Sequence, residues 1–481
     1  MSPWMGRFPS GGRPSSSPIV PPSRAPTPAD RRPGSRTPRP TSLVTTPPAP
    51  RPIRHPLDPR NPLAGVYIAI ALFELAEGAL RFLVPLNLNR NGLGPELIGL
   101  IIFVFSLTSL LSRGAAAAIY RPERARSMIV GAGSASTIAY LFTPLVDDPV
   151  VFAALMAFDG FGWGVATTSL LATMMVVTPR SITPAVAMGW YVGFQGVAFA
   201  LATTVGGLLA EVAGIQLAMV VLATLPVMAA VLIAVRLPRR EEPGSADDGA
   251  LPDGSEAADL DEPIIRQHRT GMRHGVHVAR KSLRGLPLAV WAAALVAAYL
   301  NIMNGLLQSF FPLLGLALGL SIAQIGTLSS IRSAISAIAR FGAGWLFSRV
   351  RATRLHLPLL TVSAATLALI PSAGSYLLDV PLFAMNGVSR GLLRVTSGAA
   401  AMESTRRDQA GLTAAVMTAG LDVGKMIGPL IGGIVAAVIG LDWMFRTVPL
   451  AFLLVMVALV VLGGRHADRS AAQRRDPNLT G

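Results

Sequence analysis

Apolar residues dominate the chain from residue 64 onward, and short polar stretches divide them into twelve segments, at about 64–86, 96–120, 127–146, 150–177, 185–210, 215–236, 287–313, 321–347, 355–373, 377–402, 412–439 and 443–464. Each is long enough to cross a bilayer, for which about 20 helical residues suffice. Lipid offers the backbone no hydrogen-bond partner, so every crossing is predicted as a helix, and the many interior Gly and Ala permit close helix packing. The pattern predicts an all-α membrane protein with twelve transmembrane helices.

The polar stretches are unequal. Residues 1–60 hold 17 Pro with Ser, Thr and Arg and no apolar run, so burial cannot offset chain entropy there and a disordered tail is predicted. It lacks the apolar stretch of about 7 to 15 residues that a secretory signal needs. One long loop, 237–286, separates a six-segment block at 62–236 from another at 287–464, and 465–481 form a second tail. Within that loop, 241–262 hold nine acids and no base, whereas 264–284 hold five Arg and Lys281. The loops after even-numbered segments carry Arg121, Arg124, Arg126, Arg180, Arg349, Arg351, Arg354, Arg406 and Arg407, while the opposite loops carry little beyond Arg90 beside Asp147, Asp148, Asp379 and Asp442. Arginine collects on the cytoplasmic side, so both termini are predicted to be cytoplasmic in a cell membrane.

The two blocks repeat. At a constant offset of 227 residues, Gly78 falls on Gly305, Pro85 on Pro312, Gly92-Leu93 on Gly319-Leu320, Ile98-Gly99 on Ile325-Gly326, Arg113 on Arg340, and Gly160 and Gly164 on Gly387 and Gly391. Between 74 and 113 there are 11 identities in 40 positions, where chance in so biased a composition would give about three or four. Six helices followed by six in the same orientation form a parallel repeat, and such halves enclose a site at their interface near the membrane midplane.

Composition narrows the chemistry. Only 14% of the residues are charged, against about 25% in soluble chains. The absence of Cys excludes disulfides, thiolate metal sites and Cys nucleophiles. All six His lie in tails, loops or a helix end, and the loop trio His268, His274 and His277 lacks acidic or Cys partners in a ligand motif, so no metal or other cofactor is predicted. The net charge of +15 is not a nucleic-acid footprint, because residues 1–60 alone hold 10 Arg against 2 Asp.

Across roughly 62–464 the chain resembles the major facilitator superfamily, in its broad drug-exporter-like branch. The family's loop signature after its second helix survives as Arg113 followed by Tyr120-Arg121-Pro122-Glu123-Arg124-Ala125-Arg126, without the Asp, and again from Arg340 to Arg349, with Ser348 where Asp is usual. The eleventh segment carries Gly424-x-x-x-Gly428-Pro429-x-x-Gly432-Gly433, similar to a motif that family antiporters carry on their fifth helix; here the fifth keeps only Gly206-Gly207. The resemblance implies gating roles for Arg113, Arg340, Gly428 and Pro429, and implies that helices 1, 4, 7 and 10 line a central cavity.

Charges at bilayer depth cost about 2.5 to 3.5 kcal/mol each and face a partner or water. In the first segment Glu74, Glu77 and Arg81 share one helical face, and the offset maps them onto Asn301, Asn304 and Gln308. In the fourth, Asp159, Trp163 and Thr167 map onto Asn386, Arg390 and Arg394; Arg332, Asp422 and Lys425 add charges on segments 8 and 11. Glu74, Glu77, Asp159 and Asp422 are candidates to carry a coupled proton, since burial disfavours a charged carboxylate. Arg81, Trp163, Asn301, Asn304, Gln308, Arg332, Asn386, Arg390, Arg394 and Lys425 are candidates to contact substrate, arginine offering a fork to an anionic or carbonyl group.

The expectation is a secondary transporter, not an enzyme, that moves a small organic solute by alternating access. It is expected to be proton-coupled, monomeric and without a nucleic-acid partner, with export favoured over uptake. The chain has no G-x-x-x-x-G-K-[ST] nucleotide motif. An uncoupled facilitator and a non-transporting sensor or assembly protein of the same fold are the alternatives.

Overall fold

A computed structural model of the chain describes residues 63–179, 182, 184–237, 286–347, 349–350, 352–405 and 410–475. The tail at 1–60, the linker from 238 to 285 with its three His, and Arg180, Arg351, Arg406 and Arg407 lie outside the described residues. The first half comprises α1 (Ala64–Arg90), α2 (Pro95–Ile119), α3 (Ala125–Phe142), α4 (Pro149–Val177), α5 (Pro184–Ala213) and α6 (Ile215–Arg236). The second comprises α7 (Leu288–Ala317), α8 (Ile322–Phe347), α9 (Ala352–Ala373), α10 (Tyr376–Ser404), α11 (Ala410–Ile439) and α12 (Leu441–Arg475). The described residues include no strand.

Four boundaries differ from expectation, each for a local reason. Helices α1 and α7 continue to Arg90 and Ala317, beyond the expected 86 and 313. Pro85 and Pro312 each remove a single backbone donor, and both helices run on to the same stop. At that stop Gly92 (φ 80°) and Gly319 (φ 83°) adopt the left-handed conformation, and the next amide reaches back five residues, Leu93 to Leu88 and Leu320 to Gly315. Helix α6 is interrupted at Ala223, because Pro226 lacks the N–H that would bond the Leu222 carbonyl. Helix α12 runs past 464 to Arg475 through a stretch rich in Ala and Arg, both good helix formers. Asp379, expected in a loop, sits buried in the first turn of α10, where the helix dipole favours an acid.

Packing follows the repeat. Within the first half α1 lies on α5, α2 and α3 on α4, and α3 on α6; within the second α7 lies on α11, α8 and α9 on α10, and α9 on α12. The halves meet where α2 crosses α11 and α5 crosses α8, two contacts that the repeat exchanges. Glycine faces glycine at both: a Cβ at Gly99 would lie 3.1 Å from the Gly433 Cα, and one at Gly326 would lie 3.3 Å from the Gly207 Cα. Thr203 secures the second crossing, its hydroxyl meeting the Gly326 carbonyl at 3.0 Å and Ser330 at 2.8 Å.

By length and apolarity nine of the described helices can cross a membrane. The other three long helices, α1, α8 and α10, carry Glu74, Glu77 and Arg81, then Arg332 and Arg340, then Asp379, Arg390 and Arg394. Protein surrounds α1, with 20 of its 27 residues buried. The least apolar helices thus face one another across the interior, as the cost of charge in lipid requires.

Candidate functional site

Small residues bring the first cluster together. Gly160 and Gly164 let α4 lie on the α2 carbonyls of Phe105 and Ser109, while a Cβ at Gly162 would come within 3.0 Å of the Ala132 carbonyl of α3. Asp159 is thereby pressed between helices, 1% exposed, facing Glu77 of α1. Glu77 is 2% exposed, forms an ion pair with Arg81 one turn away, and accepts the Tyr140 hydroxyl of α3 at 2.5 Å. Tyr140 and Ser136 adjoin Asp159, yet neither Asp159 oxygen has a hydrogen-bond partner among the described residues. The Arg81 guanidinium lies 4.6 Å from the centroid of the Phe105 ring.

This cluster sits between two compartments. A cavity of about 350 Å³ is lined by Glu74, Glu77, Arg81, Trp163, Gln195 and Lys425, with Tyr191 and Thr167 also on its wall. Behind it lies a compartment of about 40 Å³, with room for a few waters, bounded by Glu77, Arg81, Tyr140, Asp159, Gln308 and Lys425. Glu77, Arg81 and Lys425 belong to both, and Asp159 only to the inner one. On the cavity wall Glu74 accepts a hydrogen bond from Gln195 of α5, and the buried Trp163 indole N–H has no partner among the described residues.

The second half replaces carboxylates by amides and adds arginine. Arg332 of α8, 3% exposed, donates to Asn304 Oδ1 of α7 at 2.5 Å and to Asn386 Oδ1 of α10 at 3.4 Å. Asn386 is held in turn by the Ser363 carbonyl (3.2 Å) and Thr366 (3.1 Å) of α9. Asn301 donates to the Leu421 carbonyl of α11 at 2.8 Å, and Gln308 lines the inner compartment. Arg390 is close enough to feel the charges of Arg332, Arg394 and Arg340. Arg340 donates Nε to the Ser336 carbonyl at 3.1 Å.

Among the described residues one ion pair spans the halves, from Arg113 Nη1 of α2 to Asp422 Oδ1 of α11 at 3.1 Å. Both side chains are partly exposed (32% and 19%), so the pair contributes about 1 kcal/mol or less. A double-mutant cycle with Arg113→Gln and Asp422→Asn, read by thermal denaturation in detergent, is expected to give a coupling of about 0.5–1 kcal/mol. A coupling of zero would mean that the two helices do not hold this contact in solution. On the same helix Gly424 and Gly428 press against the α7 carbonyls of Ala298 and Ile302, and Pro429 packs on Gly305.

Residues of α1, α4 and α7 thus come together around the smaller compartment, α10 joins through Asn386 and its contact with Arg332, and Asp422 and Arg113 bridge the halves beside them, while Arg394 is exposed. Tyr140 and Gln195 were not among the sequence candidates, yet they are the partners of Glu77 and Glu74. Gln195 had a signal, as a polar residue one turn from Tyr191 on an otherwise apolar helix face. Tyr140 had none, since one tyrosine in an apolar segment is usual. Among the described residues no three His, Asp or Glu side chains converge to hold a metal.

The family model described as Major Facilitator Superfamily matches residues 19–186 and 183–418. No curated protein matches the sequence significantly. Among solved structures the chain is similar to a bacterial homologue of the human lysosomal transporter Spinster in its inward-facing, unoccupied conformation, with a TM-score of 0.64 and 14% identity over 84% of this chain and 96% of that one. It is also similar to the nucleoside transporter NupG, with a TM-score of 0.60 and 12% identity over 83% of this chain and 99% of that one. At these identities the likeness shows a shared fold.

Proposed function

The chain belongs to the major facilitator superfamily and is a multi-pass membrane protein and secondary transporter, and on that premise we propose that it couples solute movement to protons through the Glu77 and Asp159 pair. The observation that carries this reading is the junction position of Glu77. It touches both the larger cavity and the smaller compartment, whereas Asp159 touches only the smaller one. Tyr140 has one hydroxyl proton and gives it to Glu77, which leaves Asp159 with the Ser136 hydroxyl beside it and, among the described residues, no ion pair. Two carboxylates side by side in a low dielectric favour sharing one proton. The proton enters from the cavity, rests on the pair, and leaves when the halves rock and the inner compartment opens to the other side.

The arginine distribution supports cytoplasmic termini, so the cavity reached from the Arg113 end of α2 faces the cytoplasm. Resemblance to drug exporters favours export. Neither neighbour's cargo carries over at this identity, so the solute class is argued separately below.

In proteoliposomes with a trapped pH-sensitive dye, a transported solute is expected to change luminal pH with the parent protein and not with Asp159→Asn, while counterflow of the same solute continues. Equal pH changes for parent and variant would sink the proposed coupling site; counterflow with no pH change in the parent would identify an uncoupled facilitator.

A further inference from the structure

The two halves share a scaffold but have exchanged charge at matched positions. Glu74, Glu77 and Asp159 of the first half correspond to Asn301, Asn304 and Asn386 of the second. In the other direction Phe105, Trp163 and Thr167 correspond to Arg332, Arg390 and Arg394. The repeated pair Arg113 and Arg340 completes the set, and among the described residues Arg113 alone of these has an acidic partner. We infer that the transported solute is a small organic anion carrying two or more negative charges, as a phosphate or as several carboxylates, held by Arg332, Arg390, Arg394 and Arg340.

The geometry is a ladder. Helices α8 and α10 run side by side in the same direction, with Gly387 against the Arg332 carbonyl and Gly391 against that of Ser336. Arg390 therefore lies about 5 Å further along than Arg332, and Arg394 about 6 Å beyond that, level with Arg340. Among the described residues no carboxylate forms an ion pair with any of the four, whose sole side-chain partners are the amides of Asn304 and Asn386 and the Ser336 carbonyl. The Arg332 Nε is buried without a partner, and the Arg390 and Arg394 side chains make no hydrogen bond to any described residue.

Arg394 is exposed, but it stands nine residues from the exposed Met385, two and a half turns away and so on the opposite side of α10. Amides orient a guanidinium without cancelling its charge, and the interior carboxylates meet other groups, Glu74 with Gln195, Glu77 with Arg81 and, in the second half, Asp422 with Arg113, while Asp159 lies against Glu77. Four unneutralised guanidiniums on three successive levels suit an anion that can accept from several at once, since arginine binds carboxylate and phosphate by paired, charge-assisted hydrogen bonds. A mono-anion would leave most of the ladder unpaired.

This inference rests on the transporter reading but not on proton coupling, because it is tested by binding at equilibrium without a gradient. The full-length protein in phosphatidylcholine nanodiscs is melted at matched ionic strength with citrate, glycerol 3-phosphate or inorganic phosphate, and with glycerol or putrescine as neutral and cationic controls. At least one anionic probe is expected to raise the melting temperature saturably, by about 3 °C or more, with neither control doing so. Arg390→Gln and Arg394→Gln are each expected to weaken the response about tenfold or more, and Arg394→Lys less. Melting without probe shows whether each variant is folded, and the exposed Arg394 carries the test if Arg390→Gln is not. Absence of an anion-specific shift, an equal shift in both glutamine variants, or stabilisation by putrescine alone overturns the inference. So does stabilisation through these arginines by added phosphatidylglycerol but by no soluble anion, which would make a lipid headgroup the ligand. Counterflow of a neutral or cationic solute alone would refute the anion assignment and leave transport standing.

Discussion

Glu77→Ala is expected to destabilise the detergent-solubilised protein by about 3–5 kcal/mol, among the largest effects of any single side-chain truncation in the interior. The change leaves two groups stranded. Arg81 loses the carboxylate it pairs with while its Nη2 is already buried without a partner among the described residues, and the Tyr140 hydroxyl loses its acceptor. The double substitution Glu77→Leu with Arg81→Met is expected to recover most of that loss, since replacing a whole buried pair by apolar groups of similar size is close to neutral. Thermal or denaturant melting measures both. The double variant should be folded but inactive in counterflow, which separates the work of the pair from its contribution to the fold. A cost below about 1 kcal/mol for Glu77→Ala would mean that water replaces the missing carboxylate freely and that the pair is not a dry site.

The second large effect is expected at Gly428. A Cβ there would lie 2.5 Å from the Ile302 carbonyl and 3.0 Å from the Ile302 Cα, and Gly424 and Gly420 stand against the Ala298 and Ala294 carbonyls at the same four-residue spacing. The obstacle is backbone, so no rotamer change relieves it, and α11 must move off α7 along its length. Gly428→Leu is expected to cost about 3 kcal/mol or more and to reduce the yield of monodisperse protein. Gly342→Ala on α8 is the control. A Cβ there meets nothing within 4 Å, and the helix is expected to gain up to about 1 kcal/mol from the lower backbone entropy of alanine. Equal stability of the two variants, measured by the same melting assay, would contradict close packing of α11 on α7.

The fold was legible because lipid enforces it. Residues that must be helical to cross a bilayer announce themselves by apolarity alone, and the constant offset that aligned Gly92 with Gly319 in sequence reappears as the same helix stop with the same backbone bonds. Prolines were the weak point: Pro85 and Pro312 read as ends but lie within helices, while Pro226 interrupts one. In the interior, contacts within one helix could be read, as with Glu77 and Arg81. Contacts between helices could not. That Glu74 meets Gln195, that Tyr140 reaches Glu77 over Asp159, and that Arg332 is clasped by Asn304 and Asn386 depend on how far one helix slides along another. Glycines such as Gly160 and Gly387 set that sliding, and one sequence does not say which backbone they will meet.

The two glycine crossings also bear on how fast such a protein can cycle. Where helices interlock through large side chains, changing their angle means withdrawing each knob from its hole, with a rotamer jump at every step. Gly99 on Gly433 and Gly207 on Gly326 have no knobs to withdraw. They behave as a pair of plain bearings, set on either side of the cavity and exchanged by the repeat. Rotation about the line joining them disturbs few large side chains, and at the Gly207 crossing the contacts to be remade are the short hydrogen bonds of Thr203 to Gly326 and Ser330. The slow step of the cycle then falls to the polar contacts, among them the Arg113 and Asp422 pair, which makes turnover more sensitive to salt and charge than to the bulk of the residues at the pivot.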